Sequence, residues 1–520
     1  MMTLPPEFPE RESDSGEYEP ELLEGARLVP TIALETGVEE PVLRQVMAVI
    51  SRDPNLFQAN GALVQLTRCP APDDSLDKPP TIRELHHQAI RQIIARYFRF
   101  TKPGPKWGVS VAAAVPEWLT GAVTNIHNWP DVNPLVGLVS WPAMRRDGSF
   151  ITRPGYDART GLYYTGEQTA VPECPTEESA RRAVAKLLDL VKEFPFVDEA
   201  HRMTWLAYPL TIMSRHAVDK CPLFVFDAPG PGTGKSLLAQ LAGLMVTGRH
   251  LTLMCPSDDD EENRKRITTM MLDSVPACLI DNVVGNFGGA AFDAAITAPE
   301  WTDRILGASR RVTLPNTITW AASGNNMTIK GDMGRRVIIC RVDAQTESPD
   351  KRTFSRTEAE LLEMVTTHRL EYLEALVTIL RFGVVSEPCK MPQWGSFERW
   401  TRFVRQPLVA LGLPDPESAR EAFRQASDVE RETKVALLRA ILRVTIIEGA
   451  VTARHLLKAM GADAELKELA AELAQVSDKA LTASKLGYVL RKLKGRQMDG
   501  MMLTSTPDRN SIHQWKVETQ

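Results

Sequence analysis

Residues 221–238, CPLFVFDAPGPGTGKSLL, join a short apolar run to a glycine-rich turn ending in Gly234-Lys235-Ser236. The run 222–226 is β-prone and too short for a helix, while SLLAQLAGLMV from Ser236 onward has helical spacing, so the order is strand, loop, helix. A phosphate-binding loop requires that context. Gly230, Gly232 and Gly234 lack a Cβ, so their backbone N–H groups can turn toward phosphate oxygens, and the next helix adds a favourable field at its N-terminus. The candidate cradle is Pro229, Gly230, Pro231, Gly232, Thr233, Gly234, Lys235, Ser236 and Leu237. Lys235 is placed to neutralise β- and γ-phosphates and the Ser236 hydroxyl to hold Mg²⁺. In the pattern G-x-x-x-x-G-K-[ST] the first glycine position carries Pro229, with Gly230 beside it to take the turn.

A second apolar run, VPACLIDN, ends in Asp281-Asn282. A carboxylate at the carboxyl end of a buried strand beside the phosphate loop is placed to hold the metal shell, which makes Asp281 the second magnesium candidate. The acid that would orient an attacking water is replaced by Asn282. Asp281 acting through a water, or an acid from Glu261-Glu262, could serve instead. A third run, TITWAASGNN, ends in Asn325-Asn326, where an amide can hydrogen-bond a γ-phosphate and its attacking water. Then comes IKGDMGRRVIICRVD, with Arg335 and Arg336 immediately before another β-run. An arginine there that reaches a neighbouring subunit's nucleotide would stabilise charge developing in the transition state, worth about 10³-fold.

The spacing of these four segments resembles the superfamily 3 helicases within the AAA+ ATPases, and more closely the helicase-like proteins of phages, prophages and plasmids. The residues that carry the resemblance are GPGTGKS, LIDN, ILGASRRVTLPNTITWAASGNN and GDMGRR. It implies ATP and Mg²⁺ as ligands, a ring homo-oligomer (a hexamer in the family) and single-stranded or forked DNA as substrate. It matches Asn325 to sensor 1 and Asp332, Arg335 and Arg336 to the arginine-finger end. It places Arg310 and Arg311 on a basic hairpin that projects into the ring pore to grip DNA. Relatives often carry a primase domain, for which no length remains before residue 27. A separate primase or origin protein is therefore an expected partner.

Composition frames this reading. The chain has 520 residues, 43% of them hydrophobic, enough for several well-filled cores. Its net charge of −5 gives no global basic field, so any DNA contact must be local. Seven scattered cysteines without C-x-x-C, and nine histidines without paired spacing, argue against a zinc site or a disulfide framework and fit a reducing cytoplasm. No apolar run approaches about 18 residues, so neither a membrane span nor a signal peptide is expected.

Residues 1–26 hold eight acidic side chains against one arginine within the first 25 positions and read as a disordered tail. Residues 27–195 read as an α+β collar with no chemistry of its own. In it, PVLRQVMAVIS is helical, Asn60-Gly61 turns a hairpin, and TIRELHHQAIRQIIARYFRF is helical with His86 and His87 on a solvated face. Residues 196–350 form the α/β motor, a parallel sheet flanked by helices. Residues 351–475 form a helical lid, with Leu361, Leu362, Val365, Leu370, Leu373, Leu376 and Leu380 as its apolar set.

Residues 476–520 depart from the chain's charge. From 477 onward they carry eight Lys/Arg and four Asp/Glu. There LTASKLGYVLRKLKG is an amphipathic helix, followed by two β-prone runs about a Pro-Asp-Arg-Asn turn. Helix plus hairpin reads as a winged helix, with Ser484, Lys485, Tyr488, Arg491 and Lys492 facing nucleic acid. The sum is an ATP-driven, ring-forming DNA helicase or translocase for replication of a phage, plasmid or other mobile element. An alternative keeps the motor without unwinding, as a loader or switch ATPase acting on a replication partner. A small-molecule kinase would need no partner arginine, pore hairpin or winged helix.

Overall fold

The structure is a computed structural model that describes residues 29–34, 37, 39–67, 80–304, 311–329, 331–346, 348–420, 429–460, 467, 470–471, 481–507 and 513–519. The acidic tail, Arg310 and the Pro-Asp-Arg-Asn turn beyond Pro507 lie outside them. The chain divides into two compact units, Met1–Leu135 and Val136–Gln520.

The first unit is α+β. It runs β1 (Thr31–Ala33), α1 (Glu39–Ile50), β2 (Leu56–Ala59), β3 (Ala62–Thr67), β4 (Thr81–Glu84), α2 (His87–Tyr97), β5 (Arg99–Pro103), β6 (Ser110–Ala113) and α3 (Glu117–Asn125). Its sheets are β1-β5-β6 and β2-β3-β4. Asn60 (φ 53°) and Gly61 (φ 74°) turn the β2–β3 hairpin, the two positive φ values that a tight two-residue hairpin loop requires. The helices bury Val46, Ile94, Leu119 and Val123 around Trp129. The expected helix over 81–100 is shorter at both ends. Thr81–Glu84 pairs with β3, and Arg99–Pro103 pairs with β1 and β6, so ladder partners distant in sequence override helical spacing there.

The second unit opens with β7 (Gly137–Val139), β8 (Gly155–Asp157), β9 (Leu162–Tyr164) and α4 (Glu177–Leu190), then α5 (Glu199–Ser214). The α/β core follows: β10 (Leu223–Ala228), α6 (Lys235–Thr247), β11 (Thr252–Met254), α7 (Asp260–Leu272), β12 (Ala277–Val283), β13 (Asn286–Phe287), α8 (Ala290–Thr297), β14 (Glu300–Arg304), β15 (Arg311–Pro315), β16 (Thr319–Asn325), β17 (Thr328–Ile329) and β18 (Val337–Arg341). Five strands form one parallel sheet in the order β11-β12-β16-β10-β18.

Every residue of β10 is buried, as expected of a parallel strand covered on both faces. Strand alternation then assigns the faces. Phe224 and Phe226 pack with Trp205, Tyr208 and Leu238 of α5 and α6. Leu223 and Val225 pack with Ile267 and Met270 of α7 and with Phe292 of α8. The core on the α5/α6 face reaches α9 (Glu358–Thr367) and α10 (Arg369–Val385) through Val365, Leu376 and Leu380, and α11 (Glu398–Trp400) and α12 (Gln406–Ala410) through Trp400 and Leu408. Leu370, expected in the apolar set, is exposed instead.

The sequence-based collar boundary at 195 differs from this division. Val139, Trp141, Leu187 and Leu190 share a core with the α5 and α6 side chains, which draws β7–β9 and α4 into the second unit. A similar shift occurs after the lid. Here α13 (Val429–Glu448), β19 (Val451–Thr452), α14 (Ala453–Met460), α15 (Ala483–Leu493), β20 (Gln497–Met498), β21 (Met501–Pro507) and β22 (His513–Thr519) enclose a core of Leu437, Leu456, Leu490, Leu503 and Trp515. Their sheet order is β19-β22-β21-β20. The terminal module therefore begins well before residue 476.

Candidate functional site

At the carboxyl edge of the parallel sheet, β10 ends at Ala228 and the chain turns through Pro229–Gly234 before α6 starts at Lys235. Gly232 (φ 76°) and Gly234 (φ 87°) hold left-handed backbone that a side chain rarely adopts. A Cβ on Gly234 would also lie 2.7 Å from the Phe194 ring. Gly230 differs from expectation, since its φ is not positive and a Cβ there would meet open space.

The ends of two strands, β12 and β16, deliver side chains to this loop. Ser236 Oγ donates to Asp281 Oδ1 at 2.9 Å, and Ser323 Oγ donates to the same oxygen while lying 3.3 Å from Ser236 Oγ. These oxygens form the donor set a hard cation prefers. Lys235 Nζ donates to Asn325 Oδ1 at 2.8 Å, to the Gly230 carbonyl at 3.1 Å and to Thr233 Oγ1 at 3.3 Å. Burial lowers the Lys235 ammonium below its ordinary range, and the Asp227 and Asp281 carboxylates oppose that shift. Lys235 with Asn325, and Ser236 with Asp281, thus form two hydrogen-bonded pairs at the start of α6.

Asn282, next to Asp281, is exposed with φ 57°. Glu261 and Glu262 stand in the first turn of α7, where they pair with Lys265 (3.6 Å) and Arg266 (3.1 Å) of the same helix.

Three features were not singled out in the sequence. Ser323 is one. The second is a cavity of about 310 Å³ beside the loop, lined by Phe194, Gly232, Gly234, Leu237, Phe354 and Leu361 among others. The third is a network around Asp227, the penultimate residue of β10. Its buried carboxylate pairs with Arg341 and accepts from the Met327 amide at 2.9 Å. Arg341 also donates to Asn326 Oδ1 at 2.8 Å, and Asn326 Nδ2 reaches the Pro229 carbonyl at 3.2 Å. The Arg341 guanidinium therefore joins the end of β10 to the loop after β16, and Asn326 joins that loop to the glycine-rich turn.

Burial pushes the Asp227 carboxyl up, against the Met327 amide and the Arg341 charge. The pair is balanced only while Arg341 is present. Arg341→Ala should cost about 3 kcal/mol by stranding a buried carboxylate, and adding Asp227→Asn should recover part of it. Urea unfolding of the single and double variants checks this, and equal midpoints for wild type and Arg341→Ala would refute it.

Arg335 and Arg336 lie at the opposite edge of the sheet. Leu223 of β10 is in register with Val337 of β18, so the arginines precede the strand starts whereas the glycine-rich turn follows a strand end. Five strand residues at about 3.3 Å each put roughly 16 Å between these edges. Arg335 is exposed, and its carbonyl accepts from Trp394 Nε1 at 3.1 Å. Arg336 is half-buried and pairs with Asp293 of α8 at 2.9 Å.

In the segment expected to carry the basic hairpin, β14 and β15 pair antiparallel, with Arg304 opposite Arg311 and both exposed. In the terminal module, Ser484, Lys485, Tyr488, Arg491 and Lys492 are all exposed on one face of α15, while Leu486, Val489, Leu490 and Leu493 are buried. Lys492 Nζ lies 4.6 Å from the Tyr488 ring centre.

No protein-family model matches the chain, and no curated protein matches it. Among solved structures, an apo structure of the NrS-1 C-terminal region aligns at 12% identity and a TM-score of 0.34, covering 79% of this chain and 92% of that one. A structure of JCV helicase with a bound small molecule aligns at 11% identity and a TM-score of 0.20, covering 49% of this chain and 70% of that one. The fold itself is α/β, with a five-stranded parallel sheet flanked by helices. Among the described residues, no helix is long and apolar enough to cross a membrane.

Proposed function

We propose that this protein is an ATP-dependent, ring-forming DNA helicase or translocase of the superfamily 3 type, serving replication of a phage, plasmid or other mobile element. One observation carries the reading. Lys235, Ser236, Asp281 and Asn325 converge at one edge of the sheet, and Arg335 is exposed at the other. A site built this way is completed by a neighbouring copy.

The residues present fit a magnesium-bound nucleoside triphosphate. The left-handed backbone at Gly232 and Gly234 turns N–H groups toward phosphate oxygens, Ser236 and Asp281 offer oxygen ligands, and the cavity beside Phe194 and Phe354 fits an apolar base. When bound, Mg²⁺ neutralises charge on the β- and γ-phosphates. Lys235 adds a fixed positive charge from the loop side. Asn325, already aimed at the Lys235 ammonium, orients the attacking water. With Glu261 and Glu262 engaged along α7, proton acceptance from that water falls to Asp281 through a second water. Arg335 from the next subunit stabilises charge on the transferring group.

Grip on DNA comes from the Arg311 hairpin in the motor and from the α15 face, a helix-plus-strands module of winged-helix type. Phosphate contacts are salt-dependent because each releases condensed counterions. The triple variant Lys485→Ala/Arg491→Ala/Lys492→Ala should reduce the slope of log affinity against log salt by about 2 to 3, leaving DNA-independent ATPase unchanged. Anisotropy titrations across a salt series check this, and an unchanged slope would remove α15 from the interface.

Two measurements test the whole reading: ATPase rate against protein concentration with and without single-stranded DNA, and strand displacement on a forked duplex. Turnover rising steeply with concentration, stimulated by DNA and accompanied by displacement, supports it. Turnover without displacement redirects it to a loader or switch ATPase. Flat, DNA-indifferent turnover per subunit overturns it.

A further inference from the structure

Unit Met1–Leu135 carries an unusual side chain. Trp107 is fully exposed, at 103% of its reference area, on the loop joining β5 to β6. The loop is a built turn. Gly104 N–H donates to the Val109 carbonyl at 2.7 Å, and Val109 N–H donates to the Lys106 carbonyl at 3.1 Å. Gly108 takes φ 80°, and a Cβ on Gly104 would stand 2.9 Å from the Val109 oxygen. The backbone is closed beneath Trp107 in a way that holds the indole out toward solvent.

An indole carries a large apolar face, and leaving it in water forgoes the stabilisation that covering it would bring. Charge says what covers it. From Leu85 to Pro116 the chain has five Lys/Arg, at 91, 96, 99, 102 and 106, and no Asp or Glu, in a chain whose net charge is −5. Lys102 and Lys106 are exposed on the hairpin that bears Trp107. Lysine is depleted where proteins meet proteins, whereas an aromatic face between lysines is the arrangement that holds single-stranded nucleic acid: a base stacks and phosphates are neutralised on either side.

We infer that the β5–β6 hairpin tip is a third nucleic-acid contact of this protein, in which Trp107 stacks on a base of single-stranded DNA and Lys102 and Lys106 hold the flanking phosphates. The inference rests on the DNA-translocase reading for its ligand, and it gives the first unit a binding role separate from the motor and from α15. Stacking tolerates any base, so the contact is independent of sequence.

The test is anisotropy of a labelled oligothymidylate with the full chain, over a salt series, for wild type, Trp107→Ala, Trp107→Phe and Lys102→Gln/Lys106→Gln, with oligomeric state and DNA-independent ATPase measured on each. Trp107→Ala should weaken binding about 5- to 100-fold, and Trp107→Phe should keep most of the affinity. The double lysine variant should flatten the salt slope by about 1.4. ATPase without DNA and oligomeric state should not move. Wild-type affinity in Trp107→Ala overturns this contact alone, as does a changed oligomeric state, which makes the tip an interface between copies. Failure of the wild type to bind the oligonucleotide or hydrolyse ATP overturns the translocase reading with it.

Discussion

Lys235→Ala should reduce ATP turnover by about 10³-fold. The Lys235 ammonium is held by three oxygens, from Gly230, Thr233 and Asn325, so its position is fixed before nucleotide arrives. Each of those partners exchanges readily for a phosphate oxygen, and a charge that needs no reorganisation acts fully in the transition state. Burial that lowers the ammonium's range raises its electrostatic value toward an anion, because less water competes. The alanine variant should keep its fold, since Lys235 is the first residue of α6 and alanine is a good helix former. Phosphate release and thermal unfolding measured together check this. A variant with native Tm and turnover within a few-fold of wild type would show that Lys235 does not act on the reacting phosphate.

The strand–loop–helix around Lys235 was legible in the sequence because its determinants are local: a continuous apolar run for a strand buried on both faces, glycines where φ is positive, and helical spacing afterward. Asp281 and Asn325 were legible because each closes an apolar run, and parallel topology brings strand ends to one edge. Periodicity likewise put the exposed residues of α15 on one face.

Ser323 and Arg341 were not legible, because their roles exist only through neighbours. Ser323 lies beside Asp281 since β12 and β16 pair, and Arg341 meets Asp227 since β18 pairs with β10. Phe194 reaches Gly234 from the segment after α4, a residue no motif marks. The α2 boundaries, and the collar boundary read at 195 where the compact units divide after Leu135, differ for the same reason: pairing and shared cores join segments that composition separates.

Arg335→Ala should leave nucleotide binding within a few-fold of wild type while lowering kcat by about 10³-fold, and mixing it with Lys235→Ala should restore activity. The geometry behind this is the sheet itself. Arg335 stands before β18 and the phosphate loop stands after β10, at opposite ends of two parallel strands in register, so one chain's Arg335 cannot meet its own Lys235 across roughly 16 Å of strand. In a mixed ring, an Arg335→Ala subunit offers an intact phosphate loop and a Lys235→Ala neighbour offers an intact Arg335, so one interface in the pair is whole. Arg336 should behave differently. Its pairing with Asp293 holds α8 to the start of β18, so Arg336→Ala should lower thermal stability, and mixing should not rescue it. Two inactive variants that stay inactive together, at concentrations where each assembles, would refute the shared site, because a shared site has to recover when complementary halves meet.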